Sequence, residues 1–332
     1  MRPRRKIGLV YDLLGSAPGG PPDTDAEYEP VETIEALEAA IRRAGHDAVR
    51  IGSPRELLGA LGRGTLPKLD AAFNIAEGWG TRNREAWAPV LLEMAGIPAL
   101  GSDALTLSTS LDKAWTRDRV AVVGVRVAGH VSAASVAELE ALALPGPFPL
   151  FMKPRWEGTA KGITPGSRVE DAAALAREVE RIVRDYRQPA LIEPFLPGAE
   201  YTVTLIGNRP PRALPVLQRA LEARTGIGLH ALARHAPLDG WAHVLPGTLS
   251  PALEAELAQL GVRAFEALGC RDFARADFRL DSSGRPIFLE LNPLPTFARD
   301  GSFAVLAELL GRTLEDLLAE VLGLGLARLG LA

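Results

Sequence analysis

Polar side chains gather on one face of a hairpin that the sequence predicts near the carboxyl end of the chain. Within residues 275–295, the runs ADFRL and PIFLELN alternate apolar and polar residues, and DSSG between them is typical of a turn. Side chains two apart on a strand share a face, so one face carries Arg275, Asp277, Arg279, Glu290 and Asn292. The other face, which we expect to pack in a core, carries Ala276, Phe278, Leu280, Leu289 and Leu291.

Two interpretations of the polar face remain open from this stretch alone. One is a solvated face of an antiparallel sheet, where opposite charges across strands add slight stability. The other is a magnesium site, because Mg²⁺ binds oxygen ligands and Asp277, Glu290 and Asn292 offer only oxygens toward a metal. An arginine beside them, Arg275, suits a phosphate or a developing oxyanion.

Two lysines could hold the phosphates that such a metal would accompany. Lys153 ends an apolar strand and precedes RWEGTAKG, a small-residue loop whose backbone N–H groups can approach an anion. Lys113 comes early in a predicted helix, where it works against the helix dipole and so indicates a nearby anion. A solvated surface lysine is the alternative at both positions.

Two glutamates and two apolar residues could form a nucleotide pocket. Glu193 and Glu200 lie at strand edges, where a carboxylate can accept from an adenine amino group or from ribose hydroxyls. Phe195 and Leu196 could supply the apolar wall of a base pocket or could belong to the core. The spacing alone does not distinguish these alternatives.

Composition limits the class of protein. The 332 residues, 47% hydrophobic and 23% charged, can bury cores in two or three subdomains, and a net charge of −4 gives no general attraction to nucleic acid or membrane. The lone Cys270 excludes an internal disulfide and fits a cytoplasmic location. MRPRRK lacks the apolar run of a signal peptide, and the interrupted C-terminal apolar stretch is too short to span a membrane.

The elements that must position these residues change character along the chain. KIGLVYDL, PVETIEALEAAIRRAGHDAVRI, LDAAFNIAEG and NREAWAPVLLEMAGI alternate strand and helix, which predicts a parallel sheet covered by helices. Later segments predict α+β structure with antiparallel pairs, a helix at VEDAAALAREVERIVRDY, a helix at 251–268, and a terminal helix packed on the body. Neither a P-loop nor a G-x-G-x-x-G fingerprint is present, so a phosphate site must be built differently.

Four motifs together resemble those of the ATP-grasp ligases, and most of all the D-alanine–D-alanine ligases. GSDALTLSTSLDK, FMKPRWEGTAKGI, LIEPFLPGAEYTVTLIG and RADFRLDSSGRPIFLELN occur in the order and spacing of that family. The likeness covers nearly the whole chain. It implies a three-part ATP-grasp fold: an N-terminal parallel-sheet domain at 1–102, a small central ATP-grasp domain at 103–189 and a C-terminal ATP-grasp domain at 190–332.

The resemblance also implies a role for each matching residue. ATP would lie against Lys113, Lys153, Glu157, Thr159, Glu193, Phe195, Leu196 and Glu200. Two Mg²⁺ ions, with Mn²⁺ as an alternative, would be bound by Asp277, Glu290 and Asn292. Arg275 would stabilise the transferring phosphate, Glu27 would receive the amino group of the first substrate, and Ser302 would contact the carboxylate of the second.

The implied activity is ATP-dependent ligation of a carboxylate to an amine through an acyl phosphate. The expected partners are small amino acids, with no nucleic acid and no membrane, and the resemblance suggests a homodimer. An acyl phosphate must be kept from water, so a mobile cover is expected at 157–162 or at 223–244. Alternatives are the same chemistry on another amino acid pair, or a nucleotide-binding protein that has lost catalysis.

The departures from the family pattern fall on the substrate side. NPLPTFARDGSF places Thr296 and Phe297 where the family has Gly-Met, and we expect them to reshape the pocket of the second substrate. The phosphate loop has Thr159, Ala160 and an additional cation, Lys161, where two serines are usual. IAEGWG replaces a Leu-His-Gly, and the nearest counterpart of a Lys-Tyr pair is Arg234 and His235. The second substrate is therefore expected to differ from D-alanine.

Overall fold

The computed structural model describes residues 3–232, 243–244 and 247–332, and the strands in these ranges form three sheets. The first sheet is parallel, as the alternating pattern predicts, and its strand order is β2-β1-β3-β4. Its strands are β1 Lys6–Val10, β2 Asp47–Gly52, β3 Ala71–Asn74 and β4 Ala99–Leu100. The amphipathic helix α1, Val31–Arg43, ends before Gly45, whose φ of 87° turns the chain into β2.

The second sheet is antiparallel, in the order β5-β8-β6-β7. Its strands are β5 Val131–Ala133, β6 Leu150–Pro154, β7 Arg168–Val169 and β8 Ala190–Pro194. The apolar face of α7, Ala172–Tyr186, covers this sheet, and α7 is one of the predicted helices. It begins after Asp171, whose side chain accepts a hydrogen bond from the Ala174 N–H. The third domain was predicted to start at residue 190, whereas pairing places the strand that starts there, β8, in this second sheet.

The third sheet has six strands in the order β12-β11-β9-β13-β14, with β10 also paired to β9. Its strands are β9 Glu200–Ile206, β10 Arg212–Ala213, β11 Leu217–Arg219, β12 His243–Val244, β13 Phe273–Leu280 and β14 Pro286–Asn292. The last two form the predicted hairpin.

One residue of the predicted hairpin lies on the opposite face. The ladder pairs Asp277 with Glu290 but Phe278 with Phe288, so the register shifts between these two pairs. Such a bulge opposes two residues to one and reverses the alternation beyond it. Phe288 therefore packs in the core, where Leu289 was expected, and Leu289 lines a cavity.

The remaining helices cover these sheets, and the last of them returns to the first. They are α2 Pro54–Arg63, α3 Trp87–Met94, α4 Ala104–Leu111, α5 Lys113–Ala121, α6 Val136–Glu140, α8 Leu229–Leu232, α9 Pro251–Ala267, α10 Ser302–Leu309 and α11 Leu314–Arg328. As predicted, the terminal helix packs on the body, where α11 shares one apolar core with α1 and β1. Within the described ranges, every helix is too short or too polar to cross a bilayer.

Candidate active site

A cavity of about 900 Å³ lies between the second and third sheets, within the range of ligand pockets. Strands β6 and β8 line one side, and β9, β11, β13, β14 and the start of α10 line the other. Every predicted site residue except Glu27 and Asn292 reaches this cavity. Those two residues line a smaller neighbouring cavity, and Lys113 and Glu290 line both. The fold thus brings the predicted residues together, while the role of each stays a prediction.

The polar face of the hairpin forms one wall, and its charges are already paired. Arg275 Nη2 lies 3.0 Å from Asp277 Oδ2, and Lys113 Nζ lies 3.3 Å from Glu290 Oε2. Burial by itself would raise the pKa of both carboxyls, but Arg275 lowers that of Asp277, and Lys113 and Lys153 lower that of Glu290.

Oxygen ligands on this face match a hard cation. Asp277 and Glu290 are directly opposite each other, and Asn292 is opposite Arg275. The lowered pKa values keep both carboxylates ionised, as a hard cation requires. The donor set therefore fits Mg²⁺, and the anion that the position of Lys113 indicated is Glu290.

Glu193 lies at the centre of a buried ion cluster. Its carboxylate contacts Lys153 Nζ at 3.1 Å and the guanidinium of Arg117, which is fully buried in α5. Burial opposes ionisation, but these two cations outweigh it and lower the pKa of Glu193 to about 2. A carboxylate has about four acceptor sites, so Glu193 can still accept from an adenine amino group. Sequence reasoning missed Arg117, because nothing in the pattern of α5 distinguishes it from a surface arginine.

An aromatic wall stands next to this cluster. The ring of Phe195 lies 6.3 Å from that of Phe151, and the guanidinium groups of Arg168 and Arg279 lie 4.5 and 5.1 Å from its centre. Arg279 also lies 3.6 Å from Glu200 on the adjacent strand. An apolar ring beside a carboxylate suits a base and its ribose.

The small-residue loop 157–162 covers the cavity edge in an unusual backbone conformation. Thr159 and Ala160 adopt φ values of 46° and 58°, in the left-handed region that residues with a Cβ rarely enter. The Gly158 N–H donates to Glu27 Oε1 at 2.7 Å, and a Cβ at Gly158 would lie 2.6 Å from that same oxygen. The glycine is therefore required for this close approach.

Glu27 is held by cations from two other segments. Arg84 Nη2 donates to both of its oxygens, at 2.8 and 2.9 Å, and Lys161 Nζ donates to Oε2 at 3.0 Å. Burial would raise the pKa of Glu27, but Arg84 and Lys161 lower it to about 2. The additional cation of the loop, Lys161, thus ties the loop to the N-terminal sheet.

Two further glutamates, Glu77 and Glu85, lie against Glu27, and sequence reasoning missed both. One oxygen of each of the three carboxylates lies within 4.8 Å of the others. A usable signal existed for Glu77, which follows the carboxyl end of β3, next to the loop after β1 that carries Glu27. Carboxyl ends of adjacent parallel strands meet at one edge of a sheet, where ligands commonly bind.

The far end of the large cavity is the predicted site for the second substrate. Ser302 is the first residue of α10, and its Oγ accepts from Arg219 Nη2 at 3.5 Å. Thr296 lines the cavity and donates to Glu29 Oε2 at 3.1 Å. Phe297 is wholly buried among Phe73, Phe273 and Phe303, so the expectation that it shapes this pocket by contact is wrong. Arg234 and His235 lie outside the described residues.

Comparison with known proteins agrees with the family that the sequence motifs resemble. The family model described as "D-ala D-ala ligase C-terminus" matches residues 124–323. A D-alanine–D-alanine ligase of Ectopseudomonas mendocina is 31% identical over 289 residues, covering 86% of this chain and 87% of that protein.

Solved structures show the same fold at low sequence identity. The VanG D-Ala:D-Ser ligase of Enterococcus faecalis superposes with a TM-score of 0.73 at 19% identity, covering 97% of this chain and all of the other. The Bacillus anthracis D-alanine–D-alanine ligase complexed with ATP gives a TM-score of 0.72 at 18% identity, covering 97% of this chain and 98% of the other.

The fold with its three sheets is that of the ATP-grasp enzymes, which confirms the predicted fold class. Within that class, the chain belongs to the D-alanine–D-alanine ligase family. It is an ATP-dependent, ADP-forming ligase of C–N bonds.

Proposed function

We propose that this ligase activates the carboxylate of a small α-amino acid and joins it to the amine of a second one. The substrate carboxylate attacks the γ-phosphorus of ATP, which forms an acyl phosphate and releases ADP. The uncharged amine of the second substrate then attacks the acyl carbon and the C–N bond forms. Inorganic phosphate leaves with the electrons of the broken C–O bond, and the proton that the nitrogen loses passes to the phosphate. The observation that carries this proposal is the pairing of Asp277 with Glu290 beside Arg275 and Lys113.

Asp277, Glu290 and Asn292 would hold Mg²⁺, with Mn²⁺ as a substitute. When bound, the metal offsets repulsion between the phosphate oxygens and the incoming carboxylate. The number of ions, two, is inferred from the family resemblance. The ionised state of Asp277 and Glu290 is inferred from the cations around them, which lower the pKa of both carboxyls.

Cations of the chain itself would position the phosphates. Lys153 and Lys113 both line the large cavity, and each is ion-paired with a carboxylate. These ion pairs fix the orientation of the two side chains. Arg275 lies on the same wall and would stabilise charge that develops on the transferring phosphate and on the tetrahedral oxyanion. Phosphoryl transfer needs little from a protein beyond such positioning and neutralisation.

The first candidate product is D-alanyl-D-alanine, because the relatives include D-alanine–D-alanine ligases. A second amino acid other than D-alanine is the runner-up, and it is favoured by Thr296 on the acceptor side of the cavity. A non-catalytic nucleotide-binding protein is less well supported, because Arg275 and all three predicted metal ligands are present together. A cytoplasmic homodimer remains the expectation.

A phosphate-release screen tests the proposal. D-Alanine alone and D-alanine with each of a panel of D- and L-amino acids would be incubated with Mg²⁺ and ATP, and phosphate and ligated products would be measured. We expect release that depends on an amino acid and rises with one preferred second substrate. ATP binding without any amino-acid-dependent release would favour the non-catalytic alternative.

A further inference from the structure

The carboxylates Glu27, Glu77 and Glu85 form a cluster in which positive charge is in deficit. The two cations that contact it, Arg84 and Lys161, both bind Glu27. A third cation, Lys113, lines the same cavity but is paired with Glu290. Glu85 has a cation no nearer than Arg84 Nη2, at 3.9 Å. Among the described residues, no donor makes a hydrogen bond to the carboxylate of Glu77. Both side chains are nonetheless buried, at 6% exposure for Glu77 and 5% for Glu85.

Such an arrangement is costly unless something occupies it. A buried carboxylate without a donor loses its hydration and gains nothing in return. Burial accordingly raises the pKa of Glu85 to about 8 and raises that of Glu77 well above its ordinary value. A positively charged donor placed between the two would restore both hydrogen bonds and ionisation.

A cavity of the right size lies at this point. Its volume is about 20 Å³, and the three glutamates line it together with Ser110, Lys113, Gly158, Glu290 and Asn292. A volume of roughly 10–15 Å³ holds one water molecule, so the cavity admits one water-sized group. A primary ammonium has that size and carries three N–H donors in a single positive charge, whereas a planar guanidinium is larger.

The position of the cavity connects it to the proposed reaction. Glu27 follows β1 and Glu77 follows β3, the adjacent strands between which the order of the first sheet reverses. Ligands of open α/β sheets bind outside the carboxyl ends of the strands at such a reversal. The same cavity shares Lys113 and Glu290 with the large one, so a group bound here lies beside the proposed metal face.

We propose that Glu77 and Glu85 are specificity residues for the first substrate: they bind the α-ammonium group that the family resemblance assigns to Glu27, and so select amino acids over hydroxy acids. This inference rests on the proposed ligase function, because it assigns the first substrate of that reaction. Glu27 ties the loop 157–162 to the sheet and is already neutralised. Glu77 and Glu85 supply the negative charge that the ammonium meets. Glu77 lies in IAEGWG, where the family pattern has Leu-His-Gly.

The test compares Glu77→Gln and Glu85→Gln with Glu93→Gln, which removes an exposed carboxylate from α3. Binding would be measured by calorimetry with a non-hydrolysable ATP analogue and Mg²⁺. The probes are glycine, D-alanine and L-alanine, each paired with the hydroxy acid of the same shape: glycolate, D-lactate and L-lactate. Phosphate release would be followed with the same probes.

We expect the parent protein to bind at least one amino acid about tenfold or more tightly than its hydroxy acid. Each glutamine variant should weaken amino acid binding at least about tenfold and leave nucleotide affinity within about twofold. Glu93→Gln should match the parent.

Three results would overturn the assignment. The first is that both glutamine variants prefer amino acids over hydroxy acids as strongly as the parent does, and the second is that the parent binds none of the amino acids. The third is that the parent binds Mn²⁺ without nucleotide and the variants do not, which would make the cluster a metal site. Glu77-dependent amino acid binding without phosphate release would leave the ammonium site standing and refute the ligase function.

Discussion

Two ion clusters of this molecule are built to opposite charge balances. The first cluster consists of the ion pairs on the hairpin face and at β8, where four carboxylates face five cations: Asp277, Glu290, Glu193 and Glu200 against Lys113, Lys153, Arg117, Arg275 and Arg279. In the second cluster, which surrounds Glu27, four carboxylates face two cations: Glu27, Glu77, Glu85 and Glu157 against Arg84 and Lys161. The first cluster has an excess of positive charge and the second an excess of negative charge.

Most of the pKa shifts follow this difference. In the first cluster the cations outweigh burial and lower the pKa of Glu193, Asp277 and Glu290, whereas burial raises that of Glu200, which is paired with Arg279 alone. In the second, Arg84 and Lys161 lower the pKa of Glu27, but burial prevails at the other two carboxyls and raises the pKa of Glu77 and Glu85. The proposed site for the nucleotide and its metal and the proposed site for the ammonium group thus lie side by side, with Lys113 and Glu290 between them.

The largest effect is expected at Glu290, one of the two residues that line both cavities. Glu290→Gln keeps the size of the side chain but removes a charge that a hard cation needs, so turnover should fall by at least about 100-fold. Circular dichroism and thermal unfolding should show a folded protein. Glu266→Gln, an exposed carboxylate of α9, is the matched control and should retain activity. Normal turnover in a folded Glu290→Gln protein would remove the metal assignment.

Loss of one cation from the first cluster should weaken nucleotide binding. Lys153→Met removes a charge-assisted hydrogen bond worth about 1.5–3 kcal/mol, or roughly ten- to a hundredfold in ATP affinity. Glu193 remains ionised in this variant because Arg117 still contacts it. Titration calorimetry with ATP measures the change. An unchanged affinity would mean that Lys153 serves only to neutralise Glu193.

Weakening the contact between the loop 157–162 and Glu27 should reduce binding of the first amino acid more than binding of ATP. In Gly158→Ala the added Cβ would lie 2.6 Å from Glu27 Oε1, an atom that Arg84 holds in place. The loop must withdraw, so the KM for the first amino acid should rise about tenfold, with ATP affinity less affected. Gly62→Ala, in α2 with nothing within 4 Å of the new Cβ, is the control. Equal losses for both substrates would show that the loop serves ATP.

The smallest expected effect is on thermal stability. Its dependence on pH has opposite signs in the two clusters. The pKa of Glu85 is about 8 in the folded protein against an ordinary 4.5, so the folded state binds a proton that the unfolded state has released. This contribution to stability is complete at low pH and is lost as pH rises from about 5 to about 8. Glu85→Gln should therefore raise the Tm at pH 8 by about 2–4 °C and change it little at pH 5.

Glu193→Gln provides the opposite case. The pKa of Glu193 is lowered to about 2, so its contribution is present above pH 4.5 and is lost as pH falls toward 2. Scanning calorimetry should show Glu193→Gln less stable than the parent at pH 7 and nearest to it in acid. The same sign in both variants would contradict the charge balance assigned to the clusters.

Local patterns in the sequence were sufficient for the elements and for much of the large cavity. The period of α1 and α7 and the alternation of β13 and β14 depend only on neighbouring residues, so each element could be predicted without its partners. The spacing along the hairpin predicted that Asp277 and Glu290 share a face. The expected ATP residues came from the family resemblance of four motifs and not from spacing.

Tertiary structure alone decided the rest, because the relevant contacts join residues that are distant in sequence. The bulge that turns Leu289 into the cavity depends on how β14 pairs with β13, and the burial of Phe297 depends on a core that includes Phe73 from the first sheet. Glu27, Glu77 and Glu85 come from three separate segments, so no spacing reveals that their carboxylates meet. Their charge deficit exists only where Arg84 and Lys161 both reach Glu27, since an ion pair depends on distance in space and not along the chain.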